Sequence, residues 1–237
     1  MARSSTYQLL KEVSRWHVEK HLLHLLVRPD YRMACVPVAD MVLPVGAVQR
    51  GAICYSAGVG EDIRFEEYLT DVLGANVWAF DPTPRSIDFM RTSTYDATKL
   101  RFVPTGLWGE DTTLRFYAPS NPSHVSHSVL GDLGGEGTFD ARCVSVATAM
   151  KSNQHDHINL LKMNIEGAED IVLQAMLEAG IKPDVLILTW EGDNALRKAL
   201  TWTNRLRSAG YGFVARKDWF FTYVKKVKGP QPTPVLG

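Results

Sequence analysis

The stretch CYSAGVGED, residues 54–62, carries two glycines and two acids directly after a short apolar run. Glycines at a strand-to-helix turn let the backbone come close to a bound molecule, and acids after them can cap the helix that follows. Gly58 and Gly60 supply the first property, and Glu61 and Asp62 the second. A dinucleotide fingerprint would need a third glycine at position 63, which is Ile63, and the two acids would face a pyrophosphate with like charge. A ligand with a ribose and a positive centre fits this turn better than one with phosphates. Asp81 ends the next apolar run, about twenty residues on, where it can accept both hydroxyls of a ribose.

These residues need a scaffold that brings them to one edge. From residue 52 short apolar runs alternate with amphipathic ones. The pattern predicts strands near Ala52–Ser56, Asn76–Phe80, Arg101–Pro104, Ile158–Met163, Val185–Thr189, Gly212–Ala215 and Trp219–Val224. Helices fit the gaps near Ile63–Leu73, Arg85–Thr94, Ala168–Ala179 and Ala195–Ala209. Such alternation implies an α/β fold with a mainly parallel sheet covered on both faces. The last two strands are separated only by Arg216–Asp218, so they form a hairpin that places one antiparallel strand in the sheet. Two further short strands are expected between Leu114 and Val144, around a long polar loop that contains His124 and His127. In such sheets a ligand sits beyond the carboxyl ends of the strands, here Ser56, Asp81, Thr105, Asn164 and Trp190.

Composition narrows the function classes. The chain has 237 residues, 45% hydrophobic and 22% charged, enough for one large core. Its 26 basic and 26 acidic residues cancel, so no overall field draws it to nucleic acid or an anionic membrane. No apolar run reaches the roughly 18 residues of a membrane span. Cys35, Cys54 and Cys143 lack metal-ligand spacing and read as reduced core residues of a cytoplasmic protein.

The first 50 residues read as an N-terminal helical extension, with a helix from about Thr6 to Val27. Its apolar face is suited to packing on the domain or on a second subunit, as in a homodimer, more than to lying on a membrane surface. His17, His21 and His24 on that helix have no accompanying carboxylate, so no metal is assigned to them. Residues 51–228 form the expected α/β domain, and residues 229–237 a proline-rich disordered tail.

The ordered set SAGVGED, AFDPTPRS, LLKMNIEGAED and LILTWEG resembles the FkbM family of class I S-adenosylmethionine-dependent methyltransferases. The resemblance covers about Ala52 to Val224 and implies a Rossmann-like seven-stranded sheet. It also implies S-adenosylmethionine as cofactor, with S-adenosylhomocysteine as product, and transfer of methyl to a hydroxyl of a sugar, glycan or natural product. By the resemblance, Ser56, Gly58, Gly60 and Asp62 lie at the methionine end of the cofactor and Asp81 at its ribose. Pro82 and Thr83 then flank the adenine or ribose, Thr105, Gly106 and Leu107 lie on the other side, and Asn164 completes the site. The chain departs from the family pattern at Ser56, where an acid is usual, at Asp62, where a glycine is, and at Asn164, where an aspartate is. Asn164 can hydrogen-bond but cannot take a proton as a base.

Methyl transfer to oxygen requires alignment of acceptor, methyl and sulfur, and removal of the hydroxyl proton. Glu166, Glu191 and a loop histidine, His127 in preference to His124, are the candidate bases, each expected near the ligand edge. Helix capping, pairing with Lys162 and plain solvation are their respective structural alternatives. Lys162 interrupts an apolar strand and needs a carboxylate, for which Glu166 or Glu191 would serve. It would either hold that carboxylate or stabilise a developing alkoxide. Trp108, Trp190 and Trp219 are suited to a sugar platform or to the core. Magnesium is not assigned, because no set of three oxygen ligands stands out. The alternative reading is a non-catalytic binding or assembly protein that retains the sheet and the cofactor.

Overall fold

The structure is a computed structural model that describes residues 25–119, 134–190 and 194–226. The expected helix before residue 25, His124, His127, Glu191 and the tail 229–237 lie outside the described residues.

The first half of the described chain contains β1 (Cys35–Val38), β2 (Met41–Pro44), β3 (Ile53–Ala57), α1 (Arg64–Glu67), β4 (Asn76–Phe80), α2 (Pro84–Thr92), β5 (Leu100–Val103), β6 (Gly106–Leu107) and β7 (Thr112–Pro119). The second half contains β8 (Gly134–Val144), α3 (Val146–Ser152), β9 (Leu160–Met163), α4 (Glu169–Glu178), β10 (Val185–Thr189), α5 (Ala195–Ser208), β11 (Tyr211–Lys217) and β12 (Phe220–Lys225). Seven strands form one sheet in the order β11-β12-β10-β9-β3-β4-β5. β12 runs antiparallel to both neighbours, and the pairs from β10 through β9, β3 and β4 to β5 are parallel. This is the Rossmann-like α/β sheet expected from the sequence, including its single antiparallel strand.

Alternate side chains on the buried strands enter two separate cores. Tyr55, Phe80, Leu161, Met163 and Leu188 face α4 and α5, which contribute Val172, Leu173, Trp202 and Leu206. Cys54, Val77, Ala79, Leu160 and Ile187 face the other way, against Phe65 and Leu69 from the α1 region and Met90 of α2. Burial on both faces is why these strands read as nearly continuous apolar runs. From β3 the chain winds outward through β4 and β5, then returns to the other side of β3 as β9 and β10. The carboxyl ends of β3 and β9 therefore open a crevice at the switch in strand order.

Four features differ from the expectation. Within the segment expected as a helical extension, residues 35–44 form an antiparallel hairpin. Valine-rich CVPVADMVLP, with Pro37 and Pro44, disfavours a helix, and Ala39 turns the chain with φ 49°. Val38, Met41 and Leu43 then join the second core. The Thr222 hydroxyl donates to the Val42 carbonyl at 2.7 Å and the Lys217 ammonium to the Ala39 carbonyl at 2.7 Å, which ties the hairpin to β11 and β12. The helix expected over 63–73 is α for one turn and then a π-helical turn over Tyr68–Val72. β7 and β8 are longer than expected and, with β6, make a separate three-stranded sheet in the order β6-β8-β7. Helix α3 was not anticipated, although Ser145 caps it by accepting the Thr148 N–H at 3.1 Å.

Candidate active site at the switch in strand order

The loop after β3 is drawn between two strands. Gly58 N–H donates to the Phe80 carbonyl at 2.9 Å, and Asn164 N–H donates to the Ala57 carbonyl at 3.0 Å. Gly58 has φ +82°, and a Cβ there would fall 1.7 Å from the Asn164 carbonyl oxygen, so the position needs glycine. Gly60, with φ +61°, faces open space, with no atom within 4 Å of a Cβ.

Asp81 holds this loop against the start of α2. Its Oδ2 accepts the N–H groups of Val59 and Gly60 at 2.9 and 3.0 Å. Its Oδ1 accepts the Thr83 N–H at 2.9 Å and the Thr83 hydroxyl at 2.6 Å. Four donors fill the lone-pair sites of one carboxylate. Asp81 thus stands at the expected edge, but its first role in the chain is to brace two loops. A ribose hydroxyl must share or replace one of these donors.

The crevice holds a cavity of about 200 Å³. Gly58, Gly60, Asp81, Pro82 and Thr83 form one wall, and Asn164, Ile165 and Glu166 another. The small sheet closes the third side with Gly106, Leu107, Phe116 and Cys143. Gly106 fits because its neighbour is the Cys143 sulfur, 2.7 Å from where a Cβ would lie. Burial pushes the Cys143 thiol up to about 11, so it stays protonated and serves as an apolar wall. Phe116 stacks on Phe139 with ring centroids 5.1 Å apart. Phe116 and Cys143 were not anticipated, since nothing local in β7 or β8 marks them as facing a loop far away in sequence. Trp108 also lines the cavity. Trp190 is fully buried and stacks on Trp202, so it belongs to the core. Trp219 packs against that core as well.

A second cavity, of about 160 Å³, shares Gly58, Val59 and Asn164 with the first. Asp40, Asp62, Glu66 and Lys162 give it a charged lining. Asn164 stands between the two cavities, and its Oδ1 is buried without a hydrogen-bond partner among the described residues.

Several expected site residues stand elsewhere than expected. Ser56 is fully buried behind the loop and lines neither cavity, because its side chain takes the face toward α1 and donates to Glu66 Oε1. Thr105 lies outside both linings, its N–H turned to the Val103 carbonyl at 2.7 Å. Asp62 lines the second cavity, where Arg64 clamps it at 2.5 Å. The Arg64 guanidinium holds the Asp62 carboxyl below its ordinary range. The carboxylate beside Lys162 is Glu66, at 3.8 Å, and not Glu166. Lys162 Nζ also donates to the Gly58 carbonyl at 2.5 Å, so the lysine sits behind the loop and lines only the second cavity. The sequence does not single out Glu66, because one acid in the helical run RFEEYLT carries no local mark of burial. Glu166 lines the first cavity from a turn with φ +56°. The helix after it begins later than expected, and Glu169 closes the turn by accepting the Ile165 N–H at 2.8 Å. Among the described residues, no group of three His, Cys, Asp or Glu could hold a metal ion.

No protein-family model and no curated protein matches the chain. Among solved structures, it is similar to a Methanococcus jannaschii fibrillarin pre-rRNA processing protein, at TM-score 0.44 and 10% identity, covering 85% of this chain and 86% of that one. It is also similar to a precorrin-6y C5,15-methyltransferase from Geobacter metallireducens, at TM-score 0.43 and 11% identity, covering 75% and 82%. A third, Aeropyrum pernix fibrillarin with natively bound S-adenosyl-L-methionine, has TM-score 0.40 and 9% identity, covering 76% and 68%. Scores this low carry no functional weight, and the fold rests on the strand order itself.

Proposed function

We propose that this chain is an S-adenosylmethionine-dependent O-methyltransferase acting on a hydroxyl of a small molecule or glycan. The observation that carries this reading is the pair of cavities meeting at Gly58, Val59 and Asn164. The first offers Pro82, Leu107 and Phe116 to the flat face of a nucleoside, with Asp81 at its edge. The second offers Asp62 and Asp40 to the ammonium of an amino acid, with the paired Lys162 on its wall. S-adenosylmethionine joins a nucleoside to an amino acid through a cationic centre. The buried Asn164 Oδ1, without a partner among the described residues, sits at the junction, where partial negative charge favours a cation. When bound, the cofactor supplies an electrophilic methyl group on a positively charged sulfur. The motif resemblance to the FkbM family supports an oxygen acceptor.

The chain's own residues do the remaining work. The glycine loop admits the ligand, and the small sheet excludes water from one side of it. Glu166, on the wall beside Asn164, is the carboxylate within the described residues assigned to take the acceptor proton. Glu191 and His127 remain further candidates from the sequence. Lys162 takes no part in the acceptor chemistry, because it is engaged behind the loop.

The test is release of S-adenosylhomocysteine on incubation with S-adenosylmethionine and a panel of sugar and polyketide acceptors, beside calorimetric binding of S-adenosylhomocysteine. Turnover with at least one acceptor is expected. Binding without turnover on any acceptor would favour the non-catalytic reading, and absence of binding would remove both. Glu166→Gln should lower kcat by about 100-fold or more while the affinity for S-adenosylhomocysteine holds. Unchanged turnover in that variant would take the base role from Glu166.

A further inference from the structure

We infer that Glu66 positions the glycine loop by acting through Lys162, and that what this position supplies is a negative charge rather than helix packing. The link to cofactor affinity rests on the functional reading above. Ser56 and Lys162 are register partners on the adjacent strands β3 and β9. Cys54 and Leu160, two residues earlier on each strand, belong to the core facing α1, so strand alternation sends Ser56 and Lys162 to that same face. Glu66, in the last turn of α1, meets them there. Its Oε1 accepts the Ser56 hydroxyl and lies 3.8 Å from Lys162 Nζ. All three residues are buried, at 0, 1 and 5% exposure.

The other contact of Lys162 is the Gly58 carbonyl, at 2.5 Å. Gly58 is also the residue whose α-carbon is locked against the Asn164 backbone. Carboxylate, ammonium and carbonyl thus form a chain that ends on the loop shared by the two cavities. Without the carboxylate, a buried ammonium would be held only by a carbonyl, and it would turn toward Asp62 or water in the second cavity. The Gly58 carbonyl would then lose its donor. The arrangement demands an anion within reach of Lys162 but does not demand that it come from α1. A carboxylate at position 56, opposite Lys162 in register, would meet the same demand.

The experiment compares the full chain, Glu66→Gln, and Ser56→Asp added to Glu66→Gln. It reads amide hydrogen exchange in the peptide spanning residues 57–62 and calorimetric affinity for S-adenosylhomocysteine. Glu66→Gln keeps the side-chain volume and should speed exchange at the loop and weaken binding, each at least tenfold. Adding Ser56→Asp should return both to within about threefold of the starting protein, which a packing defect on α1 would not allow. Equal loop exchange in Glu66→Gln and the unaltered chain overturns the inference, and so does failure of Ser56→Asp to restore it. If Glu66→Gln does not fold, recovery of folded protein on adding Ser56→Asp supports the charge requirement, and continued failure overturns it. If the unaltered chain does not bind S-adenosylhomocysteine but loop exchange follows the expected pattern, the cofactor reading falls and the positioning role stands.

Discussion

Gly58 and Gly60 share a loop and a positive φ, yet they answer to different neighbours. At Gly58 the obstacle is the chain's own backbone, and at Gly60 there is only open space. Gly58→Ala should therefore cost at least about 2 kcal/mol, lowering the melting temperature by roughly 4–8 °C. Gly60→Ala should cost only about 1 kcal/mol of backbone strain, but should weaken S-adenosylhomocysteine binding by placing a methyl group where the ligand passes. Melting curves beside calorimetry separate the two effects. Asp81→Asn tests the bracing role in the same way. An amide turned toward the N–H groups of Val59 and Gly60 replaces acceptors with donors, so about 3 kcal/mol of stability should be lost along with affinity. The positions of the glycines, Asp81 and Asn164 were legible in the sequence because each lies within three residues after a strand, and local pattern fixes strand ends. Ser56 was legible as a position but not as a role. Its alternation parity sends it behind the loop, and its partner Glu66 arrives from a helix whose tilt no local pattern specifies.

At the scale of elements, what decides the site is which segments cover the sheet's ligand edge. The apolar runs revealed the central strands because burial on both faces leaves that signature. The coverings were harder to read. Hairpin β1–β2 hides in a short valine and proline run, and β7–β8 alternate apolar and polar residues on a sheet whose other partner is only the two-residue β6. Their place is set by contacts distant in sequence, such as the buried Thr222 hydroxyl on the Val42 carbonyl. Thr222→Val keeps the shape and removes that donor, so it should cost about 1–2 kcal/mol in denaturant unfolding. Phe116→Ala takes away the aromatic wall supplied by β7. It should reduce S-adenosylhomocysteine affinity while far-ultraviolet dichroism of the chain stays unchanged.

Over the whole molecule, the sheet divides its labour between its two ends. The carboxyl ends of the parallel strands β3, β4 and β9 border the two cavities, whereas the opposite edge carries direct polar ties. There Asp184, just before β10, meets His157 Nε2 at 2.6 Å, Asn159 Nδ2 at 3.1 Å and Lys225 Nζ at 3.1 Å. Burial alone would raise the Asp184 carboxyl, but the hydrogen bonds from His157 and Lys225 outweigh it and hold the group below its ordinary value. A carboxyl depressed in the folded state contributes stability that is present above its unfolded value, about 3.9, and is lost as pH falls through the folded value. The chain should therefore lose part of its stability below about pH 4, and Asp184→Asn should flatten that acid limb in melts recorded from pH 7 down to pH 2. Because the cluster lies at the far edge of the sheet, the same variant should leave S-adenosylhomocysteine affinity at pH 7 within about twofold of the starting protein, the near-additivity expected of distant sites. A change in affinity as large as that expected of Asp81→Asn would mean that the two edges are coupled through the strands, and that stability and binding are not separated along the sheet.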